Sequence, residues 1–138
     1  MIHTDIGHIQ FNVQKGNLPF YRDLATFLGW QAIYEEEAVL GVAGAHGVSL
    51  WFMGYAKEGV ANDYDGPGMN HLGFSAASQA DVDATVAYLA ERGVASLFDT
   101  PRHRPEFAES EDRTYYQVMF ETPDRILLEV VYTGPKQA

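Results

Sequence analysis

A chain of 138 residues with 46% hydrophobic content is of single-domain size and can fill one ordinary core. Its 19 acidic and 9 basic residues leave a formal charge of -10, which repels a phosphate backbone and draws no anionic lipid, so nucleic acid and membrane are not expected partners. Cysteine is absent, which removes disulfides, thiolate zinc sites and a cysteine nucleophile together and leaves any metal to nitrogen and oxygen ligands.

At the N-terminus, Met1-Ile2-His3-Thr4-Asp5 has neither the basic start nor the apolar run of a signal peptide, and no stretch is apolar for long enough to span a bilayer. A soluble, cytoplasmic protein is expected. From Ile6 to Val13 the residues alternate, with Ile9, Phe11 and Val13 on one face and His8, Gln10 and Asn12 on the other, the period of a half-buried strand. The spacing of Phe20, Leu24, Phe27 and Leu28 then predicts a helix, with Asn17 as N-cap, Pro19 in the first turn and Gly29 as the stop. Strand-like runs follow at Gln31 to Glu36, Val39 to Ala43 and Val48 to Tyr55, with Gly44-Ala45-His46-Gly47 as a turn. This is a βαβββ module, about 4–56.

Residues 57–68 are polar, glycine-containing and aperiodic, and read as a linker. The order then repeats over about 69–133. Met69 to Ala76 alternates, placing His71, Gly73 and Ser75 opposite Leu72 and Phe74. Ser78-Gln79-Ala80-Asp81 resembles a capping box before a stripe of Val82, Val86, Leu89 and Ala90 that ends at Gly93. Strands are expected near Ala95 to Phe98, Tyr115 to Glu121 and Arg125 to Tyr132.

The two halves overlay. His8 falls on His71, an offset of 63 residues, and Trp51 falls on Glu129, an offset of 78. The difference, 15 residues, is an insertion whose natural place is the aperiodic stretch Asp99 to Thr114.

Two βαβββ modules, with Gly7-His8-Ile9, Phe20-Tyr21-Arg22-Asp23-Leu24 running on to Leu28-Gly29-Trp30, Asn70-His71-Leu72-Gly73-Phe74 and Thr122-Pro123-Asp124 before Leu128-Glu129, resemble the vicinal oxygen chelate superfamily of glyoxalases, bleomycin-resistance proteins and extradiol dioxygenases. The resemblance covers almost the whole chain. It implies an α+β fold, one domain over 1–138, in which the modules build a cupped, eight-stranded mixed sheet with helices on its outer face. It also implies four ligand positions, which fall here on His8, Trp51, His71 and Glu129.

Three of those four can hold a metal. His8, His71 and Glu129 form a two-histidine, one-carboxylate set that leaves coordination positions open and suits one divalent ion of iron, manganese, zinc or nickel. Such an ion polarises a carbonyl or stabilises an enolate, with Glu129 as the catalytic carboxylate. Each residue alone also has a plain structural reading, a hydrogen-bonded histidine or a solvated glutamate. Their coincidence at equivalent positions raises the ligand reading, as does the cost of an unpaired charge at Glu129 within the apolar run Ile126 to Val131.

Trp51 stands where glyoxalase I enzymes carry a catalytic acid, which argues against that reaction, and it is either core or a pocket wall. Fosfomycin-resistance transferases share the His, His, Glu set, but Gln10 and Lys136 stand where that resemblance implies a threonine and a phosphonate-binding arginine. Arg102, His103 and Arg104 in the insertion either bind an anionic substrate or pair with Glu106, Glu109, Glu111 and Asp112. On the strand that follows, either Tyr115 and Gln117 line the hollow while Tyr116, Val118 and Phe120 pack on the helices, or the reverse. His3 and His46 read as surface residues.

The expected function is a metal-dependent lyase or isomerase acting on a small oxygen-rich substrate. The alternatives are a metal-free, drug-sequestering protein of bleomycin-resistance type, which Trp51 and the acidic balance favour, and an extradiol-type dioxygenase. The resemblance further implies a homodimer in which a hollow is completed either within one chain or across two.

Overall fold

The alternation of His8-Ile9-Gln10-Phe11-Asn12 becomes strand β1 (His8–Asn12) in the computed structural model, which describes residues 1–138 and divides into two units, Met1–Ala61 and Asn62–Ala138. In the first unit β1 is followed by helix α1 (Leu18–Phe27) and strands β2 (Gln31–Glu36), β3 (Val39–Ala43) and β4 (Ser49–Met53), in sheet order β1-β4-β3-β2. Strand β1 runs parallel to β4, and the other pairings are antiparallel. Phe11, Leu40, Val42, Leu50 and Phe52 are buried on one side of the sheet, where Phe52 stacks on Phe11 at 5.2 Å and on Tyr21 of α1 at 4.5 Å. Burying a side chain of this size contributes about 1.5–3 kcal/mol, so this face anchors the unit.

The helix presents a different stripe from the one its apolar spacing predicts. Leu18, Tyr21, Leu24 and Ala25 are buried, whereas Phe27 is 39% exposed. A tyrosine with a polar tip and a small alanine add little to an apolar count, yet both fit closely against the sheet. Asn17 does occupy the N-cap, but its side chain accepts no capping hydrogen bond. Gly29 ends the helix at φ +83°, where a Cβ would be strained.

The second unit repeats the plan with β5 (Leu72–Ser75), α2 (Gln79–Glu91), β6 (Leu97–His103), β7 (Arg113–Glu121) and β8 (Leu127–Pro135), in sheet order β5-β8-β7-β6. Both four-stranded sheets are mixed, and together with two helices they make the α+β fold. Ser78 caps α2 as expected, its hydroxyl accepting from the Asp81 N–H at 3.1 Å. The buried stripe of α2 is Val82, Thr85, Tyr88 and Leu89, while the predicted Ala90 is exposed.

The stretch predicted to be irregular from Asp99 onward begins as strand. β6 continues to His103 across an irregularity between Leu97 and Arg102 that contains Phe98 and Asp99 at φ +56° and a cis Thr100–Pro101 bond. Thr100 makes the irregularity tolerable: its hydroxyl accepts from the Met119 N–H of β7 at 3.0 Å and donates to the Leu97 carbonyl at 2.6 Å, so the displaced ladder groups stay paired.

The strand registers reproduce the sequence overlay. Gln10, two residues after His8, pairs with Trp51, and Gly73, two residues after His71, pairs with Glu129. No helix is long and apolar enough to cross a membrane.

Candidate functional site

Glu129 is the third residue of β8, with only 3% of its surface exposed, between Gly73 of β5 and Met119 of β7. A carboxylate can occupy so buried a position because donors meet both of its oxygens. The Tyr115 hydroxyl lies 3.1 Å from Oε1 and 3.0 Å from Oε2, and the Gln117 amide donates to Oε2. On its other flank, Gly73 leaves the space open: a Cβ there would sit 2.9 Å from Glu129 Oε1. Burial, with the hydrogen bond to the Glu129 carboxylate and its charge, pushes the Tyr115 phenol up to about 12, so it serves as a neutral donor.

These contacts settle the parity of β7. Tyr115 and Gln117 share the Glu129 face, while Val118 and Phe120 are fully buried on the other side and Tyr116 donates to Asp83 of α2 at 2.6 Å.

His71 lies one residue before β5 rather than inside it, on the same face as Gly73. Its Nε2 is 3.7 Å from Glu129 Oε1. That is too long for a direct hydrogen bond, and it is within the span of about 4.2 Å that two donors can have when each is about 2.1 Å from one ion. Imidazole nitrogen and carboxylate oxygen are ligands that manganese, iron, zinc and nickel all accept. The pair therefore fits a divalent metal in spacing and in donor type. Within neither unit do three His, Asp or Glu side chains gather as a metal-holding group.

Around the pair, Asn70 and Arg104 hold the next layer. The Asn70 side chain donates through Nδ2 to the Tyr64 carbonyl at 2.8 Å and meets His71 Nδ1 with its Oδ1 at 2.7 Å. Arg104 donates to Gln117 Oε1 at 3.0 Å and to Glu106 at 2.5 Å, and its guanidinium lies over the Phe107 ring, which packs edge-on against Tyr115. A guanidinium only donates, so Gln117 must turn its oxygen to Arg104 and its NH₂ to Glu129. The hydrogen bond from Arg104 holds the Glu106 carboxyl below its usual range. Arg102 reaches the same Glu106 at 3.7 Å and Arg113 reaches Glu109 at 3.2 Å, so the inserted stretch does contain the internal ion pairs that were one of its two readings.

His103 does not join this group. It pairs across the ladder with Tyr116, lies tilted against that ring at 4.6 Å between centroids and bonds through Nδ1 to Thr114, which turns it toward the helix side of the sheet. It lines instead a cleft of about 880 Å³ with Pro105, Ser110, Arg113 and Lys136.

In the first unit His8 is exposed at the start of β1, on the face turned away from α1. Trp51 shares that face and is half-buried: its indole lies over Gly41, where a Cβ would come within 2.7 Å, its N–H donates to Ser49 at 3.0 Å, and Tyr34 is 5.8 Å away. Trp51 thus belongs to the open side of its sheet rather than to the core under the helix. His3 and His46 are exposed, His46 in a turn at φ +63°.

The residues to which sequence reasoning gave no role at the site are Asn70 and Tyr64. Asn70 carried a signal, since it adjoins a candidate ligand histidine. Tyr64 sits in the stretch read as a linker, yet it is buried and donates to Glu121 at 2.5 Å.

The family described as the Glyoxalase/Bleomycin resistance protein/Dioxygenase superfamily matches residues 5–130. Among solved structures, a candidate glyoxalase from Bacillus halodurans is 26% identical, with a TM-score of 0.76 over 92% of this chain and 94% of the other. A glyoxalase/dioxygenase from Nostoc punctiforme is 19% identical, with a TM-score of 0.69 over 94% and 91%. The fosfomycin resistance protein FosX from Listeria monocytogenes, solved with Mn(II) and sulfate, is 17% identical, with a TM-score of 0.68 over 96% and 93%. No curated protein matches the chain.

Proposed function

This chain belongs to the glyoxalase/bleomycin resistance protein/dioxygenase superfamily, and within it we propose a divalent-metal-dependent enzyme of lyase or isomerase type that acts on a small, oxygen-rich substrate. The observation that carries the reading is the approach of His71 Nε2 to Glu129 Oε1 at 3.7 Å beside the bare Gly73. His71 and Glu129 would hold the metal, with a His8 side chain as the third ligand by virtue of its equivalent repeat position. When bound, the ion supplies Lewis acidity to a substrate carbonyl or hydroxyl. That FosX was solved with Mn(II) supports a metal in this superfamily and leaves the identity of the ion here open to measurement.

The chain's own residues do the rest. Tyr115 and Gln117 hold the Glu129 carboxylate in one orientation, and the Tyr115 phenol, neutral far into the alkaline range, keeps its proton there. Arg104, with 22% of its side chain exposed, and Arg102 are the groups from which an anionic part of a substrate would draw hydrogen bonds, in competition with Glu106. We expect a homodimer, as the family resemblance implies.

Metal analysis of gently purified protein tests the reading. Near-stoichiometric manganese, iron, zinc or nickel is expected, and Glu129→Gln, which keeps the size and most hydrogen bonds, should lose most of it. Unchanged metal content in the variant would sink the assignment.

A second reading rests on a separate observation, the half-exposed Trp51 with Tyr34 beside it on the open face of the first sheet. A flat cationic aromatic compound could stack there without any metal. Binding of such a compound that survives both chelation and His71→Ala would favour sequestration over catalysis.

A further inference from the structure

His71 presents two nitrogens to two different acceptors, and a neutral ring has one hydrogen to share between them, so its closer neighbour decides where that hydrogen sits. The Tyr64 carbonyl can only accept a hydrogen bond, so the group of Asn70 that meets it at 2.8 Å must be the NH₂. That fixes the other end of the amide: the atom 2.7 Å from His71 Nδ1 is Oδ1, which also can only accept. Nδ1 must therefore carry a hydrogen. A neutral imidazole has a single N–H, so Nε2 is left with a bare lone pair. Nε2 is the nitrogen that faces Glu129 Oε1 at 3.7 Å.

The consequence at the site is an opposition of two electron-rich atoms. Were Nε2 to carry the hydrogen, it could close on the carboxylate as an ordinary donor. With the hydrogen on Nδ1, imidazole lone pair and carboxylate face one another, and a cation between them satisfies both. The amide is thus a polarity adapter: one backbone carbonyl, read through Asn70, decides which face of the ring donates.

We propose that Asn70 is a positioning residue that holds neutral His71 in the Nδ1–H tautomer, leaving Nε2 free as a metal ligand. The part that concerns the ligand rests on the metal reading above; the tautomer does not. The gain is one of preorganisation, since a ring already presenting its lone pair has no proton to move before it ligates.

The test uses the full chain, stripped of metal, at about pH 8.5, where ordinary histidines are neutral. Long-range nitrogen-15 NMR of the His71 ring is expected to show Nδ1–H in the parent. Asn70→Ala should turn the ring toward Nε2–H, now able to donate to Glu129, whereas Asn70→Asp keeps an acceptor beside Nδ1 and should keep the parent pattern. Calorimetric titration with Mn(II) is the second readout: Asn70→Ala should weaken binding by about 10- to 100-fold, and Asn70→Asp should recover most of the loss. An Nε2–H parent overturns the proposal, and so does an Asn70→Ala ring indistinguishable from the parent. A parent that keeps Nδ1–H but takes up no Mn(II) overturns the metal reading and upholds the tautomer.

Discussion

At Gly73 an added Cβ would lie 2.9 Å from Glu129 Oε1, a distance that forces something to move. The far end of a glutamate ordinarily yields easily, but here Tyr115 and Gln117 hold the carboxylate from the other side. Gly73→Ala should therefore push Glu129 off its position while leaving β5 intact, because alanine suits a strand backbone at least as well as glycine. We expect metal affinity to fall by about 10-fold or more with little change in Tm, measured by calorimetric titration and thermal melting. Sequence placed Gly73 on the face of His71 and marked Glu129 as costly in an apolar run, so these two residues were legible. Their adjacency was not, since it depends on the parallel register of β5 and β8.

Tyr116 joins α2 to β7 through its hydroxyl, which donates to Asp83 at 2.6 Å, and burial together with this carboxylate pushes its phenol up to about 12. The fold favours the protonated phenol. Its stabilising effect is therefore complete below about pH 10, where the free side chain begins to ionise, and is lost as the pH climbs toward 12. Tyr116→Phe should remove one late-ionising phenol from a spectrophotometric titration and flatten the alkaline fall in stability between those limits; a phenol titrating near pH 10 at this position would contradict the packing. The helices also show where sequence patterning reached its limit. Element type and ends were readable from period, caps and Gly29 and Gly93, but the buried stripe of each helix was misjudged because Tyr21, Ala25, Thr85 and Tyr88 pack through shape rather than hydrophobicity. The β6 strand was cut short for a related reason: Phe98 and Asp99 break the period, and the Thr100 hydroxyl that bridges the break has no apolar signature.

Across the whole molecule, one plan is written twice with one exchange of chemistry. Gln10 with Trp51 and Gly73 with Glu129 stand at equivalent places in the two sheets, so the repeat that sequence alignment revealed is exact in register. Where the second half places a carboxylate, the first places an indole that cannot ligate. Each chain should accordingly bind one divalent ion and not two, and Trp51→Phe should leave that stoichiometry unchanged in elemental analysis; two ions per chain would mean that the halves are chemically more alike than their side chains. The overlay was legible because period-two alternation fixes which face a residue takes. The choice between Tyr115 and Tyr116 was not, because both faces of β7 carry large side chains and only the pairing with β8 decides between them.

The bare Gly41 beneath Trp51 has an optical consequence. Both tryptophans, Trp30 and Trp51, lie in Met1–Ala61, so tryptophan emission comes wholly from that half of the chain. Each is half-buried over a glycine, Trp30 on Gly44 and Trp51 on Gly41, and Trp51 has Tyr34 close enough to pass it excitation. The emission maximum of Trp51 follows the exposure of the open face of the first sheet.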